Sequence, residues 1–428
     1  MKKKGLLLLT VAILIGSIFA GACAPKPAPP APPIIIGAPL STAYVYGWAA
    51  HRGMVLAIEE INAKGGVSIG GVMRPFKLEV IDTRDLEPGV PVAEALLAME
   101  KLILEKKADV ILGGPLRSEA ALAAQDLLTK YKKVSILSAG VLSPAYHAKI
   151  AREYDKYKYA FRITSEVIWL SKEATDIFES LRKDYGFDRT FIMVQDVAHA
   201  RAIGKIMEDG LTKKGFKVLG HEVYPTGAID YSIGLAKAKA GGAQMLFIWM
   251  DHPETGILAK QWYDMKVEAL PISGICSAIE QPGAWAGTEG KVNYWFASPC
   301  NAGNAPSTAT EWTMKFYDAY KARWLIEPEA YGVSSSYMAV YVLADAITRA
   351  GSLEADALIA ALEKTDMMGI YGRIRFDPKS HQIIPSYDPK EGAVGTWFQW
   401  QDGKRVVVWP PTIAMGTIKL PPCLKPVK

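Results

Sequence analysis

Ile34-Ile35-Ile36-Gly37-Ala38-Pro39-Leu40 opens the folded part of the chain, and Ala57-Ile58-Glu59-Glu60-Ile61-Asn62-Ala63-Lys64-Gly65-Gly66-Val67 answers it downstream. Ile34 to Ile36 is a short apolar run bounded by Gly and Pro, which reads as a strand buried on both faces. Trp48, Met54, Val55, Ile58 and Ile61 then mix spacings of three, four and one, which places them on one stripe of a helix. Gly65-Gly66 supplies the left-handed stop that ends such a helix. Phe76 to Val80 alternates apolar with polar residues and reads as the next strand.

Outward from this unit the same rhythm continues. A helix from Val92 to Lys106 leads to the strand Val110 to Leu112, and a helix from Ala120 to Lys130 leads to the strand Val134 to Leu137. After Phe161-Arg162-Ile163 a second series begins, with strands at Phe191 to Val194, Lys217 to Val223, Met245 to Trp249 and Leu270 to Ile272, and helices between them. Strand and helix in strict alternation predict parallel sheets covered by helices. Two such series predict an α/β protein of two similar three-layer lobes. Residues after Cys300 are helix-rich, and Val394 to Trp400 with Arg405 to Trp409 flank Asp402-Gly403 as a hairpin. The Pro-rich tail, 410–428, reads as surface-laid or mobile.

Upstream of Ile34 the composition changes. Lys2, Lys3 and Lys4 precede an apolar run from Leu6 to Phe19 that ends in Ala20-Gly21-Ala22-Cys23, the layout of an export signal over residues 1–22. The run is short for a membrane span, which needs about 20 apolar residues. Ala24 to Pro33 holds six prolines and three alanines. At about 3.1 Å per residue its ten positions extend roughly 30 Å, a stiff spacer that builds no core. Ala20-Gly21-Ala22-Cys23 resembles a bacterial lipobox, with Ala20 where Leu is usual. Cys23 therefore reads as the lipidated residue and 23–33 as a tether that holds the body off a membrane; ordinary cleavage near Ala22 or Ala24 fits the same residues.

The formal charge of +5 includes the three lysines of the signal, so the remaining chain is nearly neutral and has no electrostatic footprint for nucleic acid. Six histidines fall at no metal-ligand spacing, and the chain has no His-Glu-x-x-His, Gly-x-Ser-x-Gly or phosphate-loop motif. No metal, no cofactor and no enzymatic activity are expected. Cys276, Cys300 and Cys423 match no Cys-x-x-Cys signature. Export allows a disulfide, but the sequence selects no pair, and free thiols are equally compatible.

Ile35 to Ser41, Tyr46-Gly47, Arg52-Gly53-Met54 and Ala57 to Val67 together resemble the leucine/isoleucine/valine-binding family of periplasmic proteins. Asp82-Thr83-Arg84-Asp85, Leu112-Gly113-Gly114-Pro115 before Ser118, Leu137-Ser138-Ala139-Gly140 and Phe161-Arg162-Ile163-Thr164 follow in the family's order, over about residues 34–409. The resemblance implies two lobes, 34–164 plus 300–376 and 165–299 plus 377–409. Three crossings join them near Thr164–Ser165, Ala297–Pro299 and Phe376–Asp377, with a small-molecule ligand between the lobes. It also implies a monomer that works with the permease subunits of an ABC importer. A sensor lipoprotein of the same fold, without transport, fits the same residues.

For the site, the resemblance puts a ligand carboxylate on backbone amides and short hydroxyls of the first lobe. Ser118 begins a helix whose open amides suit an anion, although such a serine also suits helix capping. Ser138 and Gly140 end the fourth strand, and a glycine there lets ligand oxygen approach the backbone. Tyr46 would cover an apolar ligand body, and Trp169 lies just beyond the first crossing. Two positions depart from the pattern: Leu142 stands where the family has a carboxylate-binding Thr, and Cys276 where it has an amine-binding Glu. A thiol does not pair with an ammonium as a carboxylate does. Asp251 is the nearest substitute, with Glu280 as another, although Asp251-His252-Pro253 also reads as a helix-capping turn. His199, on a neighbouring loop, reads as a surface histidine.

Overall fold

The computed structural model describes residues 31–427. The export signal, Cys23 and the tether up to Pro30 lie outside the described residues. Strand β1 (Ile34–Leu40) extends further than its three isoleucines because Gly37 to Leu40 continue the pairing. After the small ladder β2 (Val67–Ile69) and β3 (Val72–Arg74) come β4 (Phe76–Asp82), β5 (Val110–Gly113), β6 (Ser135–Leu137) and β7 (Ala160–Arg162). These form a five-stranded sheet of order β4-β1-β5-β6-β7, with every pair parallel. All residues of β5, β6 and β7 are buried, as the unbroken apolar runs require.

The second sheet holds β8 (Arg189–Gln195), β9 (Lys217–Tyr224), β10 (Met245–Trp249), β11 (Leu270–Ser273) and β12 (Phe296–Ala297). After the short ladder β13 (Met367–Gly369) and β14 (Gly372–Ile374), the chain adds β15 (Trp397–Gln401) and β16 (Lys404–Trp409). The order is β16-β15-β12-β11-β10-β8-β9, parallel except for the last two strands in sequence. Asp402 (φ 53°) and Gly403 (φ 83°) both take the left-handed conformation of the tight hairpin turn. Both sheets share one plan: the second strand flanks the first on one side and the third flanks it on the other. The chain reverses direction across the sheet between β1 and β5 in one lobe, and between β8 and β10 in the other. Crevices outside the carboxyl ends of the strands at such reversals are where open α/β sheets hold ligands.

The helix-rich stretch completes the first lobe. Val333–Ala350 lies so close on Val45–Ala63 that a Cβ on Gly53 would stand 2.3 Å from the Val333 carbonyl oxygen. Tyr337 and Tyr341 both donate to the Glu60 carboxylate across this contact, at 2.6 Å each. The tail runs back over the second lobe, where Gln401 donates to Thr417 O, Gln399 to Lys419 O, and Val427 N to Tyr185 O.

The chain leaves β7 through Thr164–Ser165 into the helix Val167–Tyr185, and leaves β12 through Ser298 toward Asn301. The two passages are joined by a 2.9 Å hydrogen bond from Thr164 Oγ1 to Asn301 Oδ1. The third passage lies further along than Phe376–Asp377. Asp377 caps a tight turn, accepting from Lys379 N and Ser380 N, and the chain doubles back so that Phe376 pairs with Ile383. His381 and Ile383 then bond Arg162 of β7 on both sides, at 3.0 Å each, which keeps this segment on the first sheet. Only at Trp397 does the chain enter the second sheet. A helix at Ala145–Arg152, not anticipated from the sequence, fills the connection before β7.

Candidate functional site

A cleft of about 340 Å³ opens where the two strand reversals face each other. One wall carries Tyr44 and Tyr46 after β1, Leu116 and Ser118 after β5, and Gly140 to Leu142 after β6. The other carries Gln195 at the end of β8 and His199 beyond it, Thr226 after β9, and Asp251 and His252 after β10. Ile275 and Tyr331 complete the lining. Most of the lining is apolar, and its polar groups sit mainly at strand ends and helix starts.

The first wall is built on backbone turns, with the charged side chains of Asp85, Glu87, Arg117 and Glu119 also lining it. Ser118 opens the helix Ser118–Tyr131, and Arg117, which stands at the cap position, makes no side-chain cap bond. Ser118 does not cap either: its Oγ accepts from Ser143 N at 3.4 Å, which ties two cleft loops together. The leading amides of this helix have no intrahelical acceptor and carry the positive end of its dipole. Gly140 has φ +70°, and a Cβ there would stand 2.1 Å from the Leu116 carbonyl oxygen. Protein packing therefore demands this glycine, in addition to anything a ligand requires. Val141 N donates to Leu116 O at 2.8 Å, holding the turn at φ 57°. The buried Arg162 donates from behind to Val141 O. Leu142 lines the cleft, and its carbonyl accepts from Val167 N, the first residue of the second-lobe helix.

The second wall is made of side chains. Gln195 is locked, its Oε1 accepting from Asp251 N at 2.9 Å and its Nε2 donating to Thr226 Oγ1 at 2.7 Å. His199 Nε2 lies 3.4 Å from Asp251 Oδ2 but is not directed at it as a hydrogen bond. His252 is 1% exposed; its Nδ1 is 2.9 Å from Glu254 Oε2, and its Nε2 has no partner among the described residues. Glu254, not Asp251, occupies the cap position of the helix Thr255–Asp264, and no side chain caps it.

Tyr46, Ser118, Gly140, Leu142, Asp251 and His199 thus come together in one cleft. Ser138, Trp169 and Cys276 stand outside its lining. Ser138 Oγ bonds Ser336 Oγ at 2.7 Å in the first-lobe core. Trp169 Nε1 donates to Glu173 at 2.8 Å, beside Tyr387. Cys276 Sγ donates to Thr255 Oγ1 at 3.0 Å, and burial pushes the thiol up to about 12. Cys276, Cys300 and Cys423 are all free.

Glu280, the alternative acid, is fully buried at the junction of the lobes. Its carboxylate accepts from Cys276 N at 2.7 Å, from Tyr331 N at 2.9 Å and from Tyr46 Oη at 3.4 Å. Burial raises it to about 7 against the pull of those donors. Tyr331, Tyr44, Thr226 and His252 were not singled out from the sequence. Tyr331 enters from a loop far along the chain, its hydroxyl donating to Gly140 O at 2.7 Å and its ring set edge-on to Tyr46. Among the described residues no cluster of three or more His, Cys, Asp or Glu is placed to hold a metal, and no helix is long and apolar enough to cross a membrane.

A Leu/Ile/Val-binding protein homolog of Brucella abortus (strain 2308) is 26% identical over 373 residues, covering 86% of this chain and 91% of that protein. Homolog 7 of Brucella suis biovar 1 is 23% identical over 427 residues, 96% of this chain and 98% of its own. In fold, the chain is similar to the branched-chain amino acid transporter substrate-binding protein of Streptococcus pneumoniae solved with isoleucine (TM-score 0.70, 21% identity, 88% of this chain and 100% of that one). It is also similar to a solute-binding protein of R. palustris solved with benzoate (TM-score 0.69, 14% identity, 92% and 99%). Two lobes of one plan, with strand reversals facing across a cleft, are the type I periplasmic binding protein fold. Residues 38–388 match the periplasmic binding protein family as a continuous whole, and the chain belongs to that family.

Proposed function

We propose that the protein is an exported, lipid-anchored receptor that captures a small polar solute between its lobes and passes it to an ABC importer, with no chemistry performed on the solute. One observation carries this reading. The cleft brings an anion-favouring helix start and a side-chain wall together across the junction of two separately built sheets. Enclosure by hinge motion at the three passages would supply the binding energy. The names of the relatives, and the isoleucine and benzoate held by fold neighbours, support an amino acid, an amide or a carboxylic acid as cargo. In this reading residues 1–22 direct export, Cys23 carries the lipid, and the lobes divide as 34–164 plus 300–376 and 165–299 plus 377–409, except that 377–396 stays with the first lobe. The return passage from the first lobe is shifted toward Trp397.

Thermal-shift screening of the mature protein against amino acids, amides and short carboxylates tests capture. A stabilising solute recovered chemically unchanged is the expected result; turnover of the solute would sink the receptor reading. Loss of palmitate labelling in Cys23→Ser tests the anchor independently.

A further inference from the structure

The cleft residue Tyr331 sits on a loop that runs from Leu325 to Gly332, between the helices Glu311–Trp324 and Val333–Ala350. Loops are the mobile parts of a fold, so the anchors of this one decide where Tyr331 stands. Glu329 ties it to the first lobe, its carboxylate accepting from Arg52 and from Tyr320 Oη. The other anchor comes from the second lobe. Arg405 of β16 reaches the loop with a side chain that is 1% exposed. Its Nη2 donates to Glu327 Oε2 at 3.0 Å, and its Nη1 to Pro328 O at 3.0 Å. The same Nη1 serves Glu280 O at 3.0 Å and Asn304 O at 3.2 Å.

These carbonyls come from separate stretches of chain, and each belongs to a buried residue. Buried carbonyls need donors, and one guanidinium serves all of them. Arg405 thereby holds both partners of a contact at the lobe junction. Glu280 is held through its own carbonyl, and Tyr331 through Pro328, three residues before it. The contact itself is the 2.9 Å bond from Tyr331 N to the Glu280 carboxylate. Tyr331 Oη then donates to Gly140 O at 2.7 Å, across the cleft turn of the first lobe. We infer that Arg405, which stands outside the cleft lining, is a positioning residue for solute capture: its guanidinium sets the 325–332 loop so that Tyr331 stands in the cleft. The inference takes from the receptor reading only what the cleft does. A lysine at 405 would keep the charge, but a single ammonium does not span the carbonyls and Glu327 as the planar fork does.

Hydrogen exchange of the solute-free protein and titration calorimetry with L-isoleucine and benzoate test this in Arg405→Lys, both well below its melting temperature. Peptides covering 325–332 should exchange at least about tenfold faster than in the parent, while β4 and β9, edge strands of the two sheets, keep their rates. Whichever probe binds the parent should bind Arg405→Lys at least about tenfold more weakly. Glu327→Gln keeps an acceptor for Nη2 and all the carbonyl bonds, so its loop exchange and affinity should stay within about threefold of the parent. Parental loop exchange in Arg405→Lys overturns the inference, as does a loosened loop with parental affinity. Faster exchange spread evenly over both sheets also overturns it, since Arg405 would then be a general support. Should Arg405→Lys not fold, the parent decides. Its loop should be protected within about tenfold of β16, and a loop more than about a hundredfold less protected overturns the inference. If neither probe binds, the exchange pattern decides the inference, and only failure of the whole solute screen counts against the receptor reading.

Discussion

The two walls of the cleft use different materials. The first-lobe wall is shaped mainly by backbone: a helix start, a glycine turn in the left-handed region, and the Val141 and Ser143 amides held by Leu116 O and Ser118 Oγ. The second-lobe wall is side chain: His199, Thr226, Asp251 and His252 on a frame fixed by Gln195. Backbone geometry is inseparable from the packing that makes it, so damage to the first wall should reach the whole fold. Side chains at loop tips are replaceable, so damage to the second should reach binding alone.

The strongest test of that contrast is Gly140→Ala. The added Cβ meets the Leu116 carbonyl in a conformation that disfavours side chains, and the cost should be about 3 kcal/mol or more of stability together with loss of solute binding. Denaturant unfolding measures it; a variant that melts like the parent would mean the turn is not rigid.

Next comes Glu280, which links the walls. Its carboxyl, raised to about 7 by burial, favours the protonated form in the folded state, as does Glu173, also raised to about 7 by burial. A carboxyl raised on folding stabilises fully below its ordinary value of 4.5 and loses that contribution as pH climbs through 7. His147 and His381, lowered by burial, act in the reverse sense below 6.5. Between pH 6.5 and about 8 stability should therefore fall, by about 1 kcal/mol for each carboxyl. Glu280→Gln should flatten part of the slope, and melting curves across that window provide the check. An unchanged slope would remove Glu280 from the account.

The smallest effect belongs to the second wall. Thr226→Val removes a hydroxyl that accepts from Gln195, and stability should change by about 1 kcal/mol or less. Ser118→Ala on the first wall removes a non-capping hydroxyl whose one protein bond is a long one from Ser143 N, so it should likewise cost about 1 kcal/mol or less of stability while weakening carboxylate binding about tenfold. A large loss of stability in Ser118→Ala would move Ser118 from the ligand to the scaffold.

The contrast also explains what the sequence could disclose. Apolar runs such as Val110 to Leu112 and Met245 to Trp249 exposed both sheets, because buried parallel strands leave few other readings. The loops of the first wall followed from strand order. Tyr331 was hidden because it meets Gly140 across 191 residues, and no local pattern encodes such a contact. His252 was obscured by Pro253, which made Asp251-His252-Pro253 look like a capping turn. The third passage was placed near Phe376–Asp377 by the resemblance alone, with no local pattern in these residues to fix it. In the fold this stretch turns the chain back onto β7.

The three donors on Glu280 give the junction a mechanical meaning. They come from both lobes and meet on one fully buried carboxylate, so parting the lobes at that point breaks hydrogen bonds. A molecule in the cleft that forced the lobes apart at Glu280 would have to break those bonds, so length would be tolerated better than girth.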